Sequence, residues 1–415
     1  MAMTEDGKPD QVPDAAAPVP QNQARVLLWL IVGQVALHAA MSGQRMAAPL
    51  QALQAGHSVW GVGVLLALFA ALPVLTAMGS GRMADRHGYH RPARLAVAFT
   101  MVGAACALLA CWLPGGWQFG LGCVGAAASG VGANIGLITI QRTAGQLANS
   151  STERLRVFSW LGMAPSLANV VGPVAAGFMI DGAGYAAAYA LLLTMPLLSL
   201  WVAQRVPVQA QRREASLRVA GSSRWDLLAT PGMKRLLVIN WLLSASWDVH
   251  SFAVPVLGHS RGYSASTIGT VLGLFTAAVT LVRFAIPLLA HRLREVTVLR
   301  IGMVLTGGVF ALYPFAATPW LMGGCALLLG LTLGAVQPMI MSTLHELTPA
   351  ARHGEAIAFR SMAINLSSSV MPLVFGLAGA ALGPGVLFWV MGAAVGGGSL
   401  VAGGLQKVFA VDKPT

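Results

Sequence analysis

The sequence predicts an all-α membrane protein whose twelve transmembrane helices form two pseudo-symmetric six-helix bundles. Three observations carry that expectation. Hydrophobic residues fill 56% of the 415 positions and charged residues only 10%, whereas about a quarter of a soluble protein is charged. The apolar residues gather into twelve runs, each close to the ~20 residues that one helical crossing of a bilayer needs. The second half of the chain also echoes the first at an offset of 206 residues, the mark of an internal repeat.

In chain order the spans are expected at 26–49, 58–79, 93–113, 118–140, 157–180, 184–204, 235–257, 266–289, 297–315, 319–343, 356–381 and 385–406. Residues 1–24 are polar and carry Glu5, Asp6, Asp10 and Asp14. They read as a disordered cytoplasmic tail with no basic region of a cleavable signal, so the first span is expected to be retained. Residues 25–206 make the first bundle and 234–408 the second, followed by a cytoplasmic tail at 409–415. The 207–233 stretch between them holds Pro207, Arg212, Arg213, Arg218, Gly221 and Pro231 and reads as a cytoplasmic linker. Within it, Trp225 to Leu228 could wind into a short surface helix.

A formal charge of +12 would suit nucleic acid, but its distribution argues otherwise. Arg82, Arg86, Arg91, Arg94, Arg205, Lys234, Arg235, Arg294, Arg300, Arg352 and Lys407 all fall at one set of span ends, and Arg261 is the clear exception. Such bias marks the cytoplasmic side, which places both termini there and the chain in the plasma (inner) membrane. Trp60, Trp112, Trp117 and Trp320 fall at the opposite ends, where an aromatic belt is expected. Cys106, Cys111, Cys123 and Cys325 lie inside apolar runs without metal-ligand spacing, so neither metal nor cofactor is expected.

The repeat pairs Pro49, Gly56, Ser58, Gly63 and Arg86 with Pro255, Gly262, Ser264, Gly269 and Arg292 without a gap; further on, Pro173 and Gly177 face Pro372 and Gly376. Between the second and third spans runs Gly81-Arg82-Met83-Ala84-Asp85-Arg86-His87-Gly88-Tyr89-His90-Arg91. Its G-x-x-x-D-R-x-G spacing at that place resembles the signature loop of major facilitator superfamily transporters, with Tyr89 and His90 interposed before the next arginine. The resemblance covers residues 25 to 408 and implies the major facilitator fold, two parallel six-helix repeats around a midplane site. It further implies that Asp85, with Arg86 beside it, latches the cytoplasmic side by facing the start of the eleventh helix, where unpaired amides favour an anion. The bland reading of the loop is a topogenic element whose charges only set orientation. Ala168 to Gly177 is similar to a glycine-proline signature of the family's export-type antiporters, with two of the glycines replaced by alanine.

Asp248 is the one acid deep within a predicted span, about 21 Å along the seventh helix at ~1.5 Å per residue. A carboxylate there must meet water, a cation or a proton, each useful to a proton-coupled carrier. The competing reading is a structural ion pair with Arg45, which lies at comparable depth. Trp247 and His250 neighbour Asp248 in sequence but point elsewhere on a helix; His250 is kept as a coupling or gating candidate and Trp247 as a substrate contact. Gln34, His38, Asn134, Asn240 and Gln337 lie on the first, fourth, seventh and tenth spans, the helices that line the cavity in the family this chain resembles. They are candidate substrate contacts, against the alternative of ordinary interhelical hydrogen bonds. Arg283 is a gating candidate, and Arg360 with Asn365 a binding pair; the bland alternative for both arginines is snorkelling to the inner headgroups or pairing with Asp85.

These features predict a secondary transporter that moves a small organic solute by alternating access, with proton-coupled efflux as the first reading and proton-coupled import of an organic anion as the second. The chain is expected to act as a monomer in the bilayer. An enzyme would need clustered histidines, paired carboxylates or a nucleophile with its base, and an ATP-driven pump a phosphate-binding loop; the sequence has neither. A non-transporting sensor with the same fold is the remaining alternative.

Overall fold

A computed structural model describes residues 21–147, 157, 160–207, 224–289, 294–349 and 353–411. The described residues are helical, with no strand among them. In order come α1 (Gln21–Gln54), α2 (Val59–His87), α3 (His90–Ala110) and α4 (Gly115–Leu147), then the stretch Met163–Ala203. After it follow α7 (Met233–Ser260), α8 (Ala265–Leu289), α9 (Glu295–Leu312), α10 (Pro319–Leu347), α11 (His353–Leu382) and α12 (Pro384–Val411). A short 3-10 helix, Arg224–Ala229, forms where the linker was expected to hold one, and its Leu227 is buried.

Met163–Ala203 has 41 residues, which at ~1.5 Å each would run twice the thickness of a bilayer core. Gly184 resolves this, because its φ of 81° and ψ of 175° break the helix. Gly172 and Leu192, on either side of the break, both pack on Gly43 of α1. The chain therefore doubles back, and residues 163–183 and 185–203 are two helices, α5 and α6. Among the described residues ten helices are long and apolar enough to cross a membrane, this stretch counted as one. α7 is absent from those ten although it has 28 residues, since Lys234, Arg235, Asn240, Asp248 and His250 lower its hydropathy. With the stretch divided and α7 included, the helices agree with the twelve expected crossings.

Alternating helix directions give the molecule two faces. The terminal face carries the start of α1, the α2–α3 loop and the end of α12; the distal face carries the exposed Trp60, Trp112, Trp117 and Trp320. Tyr89, one of the residues interposed in the signature loop, is buried beside Leu27, Ala93 and Ile140, so it pins the loop to the bundle. That burial pushes its phenol up to about 12.

The repeat seen in sequence is a repeat of geometry. Gly56 and Gly262 both close their turns at positive φ, 81° and 72°. Ser58 then accepts from the Gly61 amide, and Ser264 from the Thr267 amide three residues on. The same symmetry builds two close helix crossings near the distal face. A Cβ on Gly63 of α2 would strike the Pro372 carbonyl of α11, and one on Gly269 of α8 would strike the Pro173 carbonyl of α5. Gly376 likewise abuts Val59 and Trp60, and Gly177 abuts Ala265 and Ser266. Small residues allow this contact where helices have no hydrophobic drive to associate. Asp181 adds a polar clasp: its carboxylate accepts from the Ala265 amide at 3.0 Å and the Ser266 amide at 2.8 Å, at the positive end of α8.

Two outcomes follow. Gly184→Ala should lower stability by about 1–3 kcal/mol, since only glycine readily takes this backbone conformation; an unchanged melting temperature in detergent would contradict the break. Gly63→Val and Gly269→Val should prise the distal crossings apart, raising labelling of a Ser266→Cys probe by an impermeant maleimide in a background with the four native cysteines changed to serine. Equal labelling with and without the valines would remove the seal.

Candidate functional site

Sealed at the distal face, the interior opens toward the terminal face as three adjacent cavities that share wall residues. The outermost, about 710 Å³, lies between the start of α5 (Met163, Ser166), the end of α8 (Arg283, Ile286) and α10 (Gln337, Met341). The middle one, about 270 Å³, is walled by Arg45, Asn169, Trp247, Asp248, Arg283 and Gln337. The innermost, about 130 Å³, holds His38, Arg45, Met46, Trp247 and Phe275 and stops at Pro173 below the distal crossing.

Asp248 sits where three helices from both halves meet. Its side chain is buried, and the hydroxyls of Ser367 and Ser368 on α11 donate to it at 3.0 and 3.1 Å. Arg45 Nη2 of α1 stands 3.8 Å from Oδ1, a charge contact longer than a hydrogen bond. Arg45 Nε is buried without a hydrogen-bond partner. The carboxylate thus has two neutral donors and one loosely held cation, an arrangement that can hold either a charge or a proton without unfolding the site.

Arg283 of α8 reaches the Ser166 hydroxyl of α5 at 3.0 Å, across the gap between the halves. Arg360 of α11 is half-buried, its Nε is buried without a hydrogen-bond partner, and it lies on α11 one turn before Ile364 of the middle cavity without itself lining the three cavities.

The other expected residues are dispersed. His38 and Gln337 line cavities, and Trp247 lines two of them, with its ring edge-on to Phe275 at 4.6 Å between centroids. Gln34 is fully buried against Gly136 of α4, and Asn240 is buried in α7; neither amide finds a hydrogen-bond partner among the described residues. Asn134 donates to the Pro73 carbonyl at 3.3 Å, joining α4 to α2. His250 lies away from Asp248, hydrogen-bonded to the Tyr313 hydroxyl at 2.9 Å and packed on Phe275. Asn365 is exposed and lines none of the three cavities. Arg86 is exposed near the end of α2, and the Asp85 side chain lies outside the described residues.

Several site residues escaped the reading of the sequence. Ser367 and Ser368 belong to the run Ser367-Ser368-Ser369, a polar patch in an apolar span, and Ser166 stands two residues after Ala164 at the start of the export-like motif's helix. Asp181 precedes the Gly182-Ala183-Gly184 turn, where an acid beside glycines was the available signal.

The sequence model described as "Major Facilitator Superfamily" matches residues 30–233 and 236–408. The chain is 23% identical over 330 residues to the tetracycline resistance protein, class B, of Escherichia coli, covering 75% of this chain and 77% of that one. It is 26% identical over 318 residues to the enterobactin exporter EntS of Salmonella typhi, covering 72% of each. Among solved structures, a POT family transporter in complex with 5-aminolevulinic acid superposes with a TM-score of 0.72 at 13% identity over 94% of this chain and 97% of its own. The human organic anion transporter MFSD10 gives 0.64 at 16% identity over 92% of this chain and 100% of its own. These relatives are transporters rather than enzymes, and with a family match across nearly its whole length, this multi-pass membrane chain belongs to the major facilitator superfamily of small-molecule transporters.

Proposed function

We propose that the protein is a proton-coupled exporter of a small organic solute in the plasma (inner) membrane, working by alternating access as a monomer with both termini cytoplasmic. The observation that carries this reading is Asp248, held between α1, α7 and α11 in the wall of a cavity that opens toward the basic, terminal face. The positive-inside bias makes that face the cytoplasm. In this state a solute would enter from the cytoplasm through the 710 Å³ cavity and rest beside Arg45, Trp247, Asp248 and Gln337.

Coupling follows from the chemistry of the centre. With Asp248 charged, its attraction to Arg45 ties α1 of one half to α7 of the other. A proton on the carboxylate removes that attraction and loosens the tie between the halves, while the two serines still supply partners for a neutral carboxyl. Protons entering from the far side while the solute leaves make the exchange an antiport. Export is supported by the curated relative named an exporter and by the partial antiporter motif in α5. Asp85 and Arg86 are proposed to close the terminal face in the opposite state, against the start of α11. His250, bonded to Tyr313 within the second half, is assigned a packing role in this scheme.

The second reading, import of an organic anion, draws on Arg283 and Arg360 beside the same route. Cells separate the two: expression should deplete an exported solute and accumulate an imported one, each effect collapsing with a protonophore.

In proteoliposomes, Asp248→Asn should abolish flux driven by a pH difference yet preserve solute exchange at equal pH. Equal loss of both would mean that Asp248 only holds helices together, and full retention of the driven flux would remove it from coupling.

A further inference from the structure

Among the described residues, the charges along the transport route do not balance. Asp248 answers Arg45, but Arg283 has only the neutral Ser166 hydroxyl, and Arg360 Nε has no hydrogen-bond partner. Neither arginine forms an ion pair among the described residues. Glu295, beside the outer cavity, is bonded to Ser342 at 3.1 Å instead. Arginine does not shed its proton to relieve such isolation. Partly buried charges without a counter-ion are stabilised by an anion.

Position favours the same conclusion. Arg283 borders both the outer and the middle cavity, at the point where one leads into the other. Arg360 stands one helical turn before Ile364 and two before Ser368, both of which line the middle cavity, so the α11 face that carries it turns inward. Gln337 supplies a neutral amide at the same junction. Around them the outer cavity is mostly apolar, with Met163, Phe284, Ile286 and Met341 in its wall.

We infer that the substrate is an amphiphilic organic anion, its carboxylate or similar oxyanion held by Arg283 and Arg360 and its apolar body lying against the outer cavity wall. This deepens the transporter reading and rests on these cavities being the route. It also gives the arginines a part distinct from that of Asp248: they select the solute, while the carboxylate answers to the proton. As the anion leaves, the Arg283 and Arg360 charges are uncovered together, which favours the loaded over the empty form of this state.

The test uses the full chain in phosphatidylcholine nanodiscs and three probes of one shape, naphthoate, naphthamide and naphthylmethylammonium, followed by equilibrium dialysis. Naphthoate should bind about tenfold or more tighter than the amide, the range expected for hydrogen bonds to a charged group. Arg283→Gln and Arg360→Gln should each erase that preference without altering the amide, and lysine at either position should restore part of it. Equal binding of the three probes, binding of none, or a uniform loss in the glutamine variants would overturn the assignment. Loss of naphthoate binding when the nanodiscs contain phosphatidylglycerol would assign the arginines to a lipid headgroup, and overturn it too. Naphthoate bound but not moved in counterflow would instead remove the transport reading and leave the anion site standing. Counterflow of the amide by a chain with no preference for naphthoate would do the reverse.

Discussion

Backbone contact between helices of opposite halves, at Gly63 with Pro372 and at Gly269 with Pro173, sets which end of this molecule is closed. In a bilayer the lipid is as apolar as the helix surfaces, so association depends on close packing rather than on hydrophobic burial. Glycine and proline meet that need in two ways: the first removes the side chain from the contact, and the second offers a carbonyl near its bend. Because the crossings are related by the internal repeat, they close together and leave one continuous recess beneath them. Asp181 fastens one of the two, with two amide hydrogen bonds to the start of α8. The counterpart crossing of α2 with α11 has no matching acid, so the closure is symmetric in its packing and asymmetric in its polar contacts.

Charge within that recess is arranged by the same constraint. An ion inside a membrane protein is tolerable where another ion, several donors or water answers it. The Arg45–Asp248 contact joins the halves with a carboxylate that two serines also serve. Arg283 spans the other gap, reaching α5 from α8. Both contacts would be broken and remade if the halves rocked, so the residues proposed to discriminate solute and proton are also those placed to sense the relative position of the bundles. This joint placement suits a two-state mechanism, since each ligand can favour one arrangement by differential contact.

Much of this was legible before the structure. Long apolar runs identify spans because backbone groups in lipid must be satisfied internally, and the paired Gly56 and Gly262 turns were visible as a repeat. Asp248 stood out for the same reason: an acid in an apolar run is rare enough to be conspicuous. Serines were not conspicuous, since a hydroxyl can bond back to its own helix, as Ser246 does to Leu242, and Ser367 and Ser368 could be told apart from that only by seeing what they face. Facing also decided the amides. Gln34, Asn134 and Asn240 lie on the expected helices, yet Asn134 serves α2 and the other two are enclosed in protein. His250 shows the limit of sequence adjacency, because a two-residue step on a helix turned it toward Tyr313 rather than toward Asp248. The doubling back at Gly184 was expected as a short loop and proved to need a single glycine.

The central claim is that the two halves exchange closure between faces about the shared charged centre. Electron spin resonance distance measurements would address it directly, with one label pair at Ser58 and Leu382 on the distal ends of α2 and α11 and another at Met163 and Leu289 on the terminal ends of α5 and α8. Rocking bundles require opposed changes, the distal pair lengthening as the terminal pair shortens when pH and solute are varied. Distances that stay fixed at both faces, or that lengthen together, would contradict alternating closure.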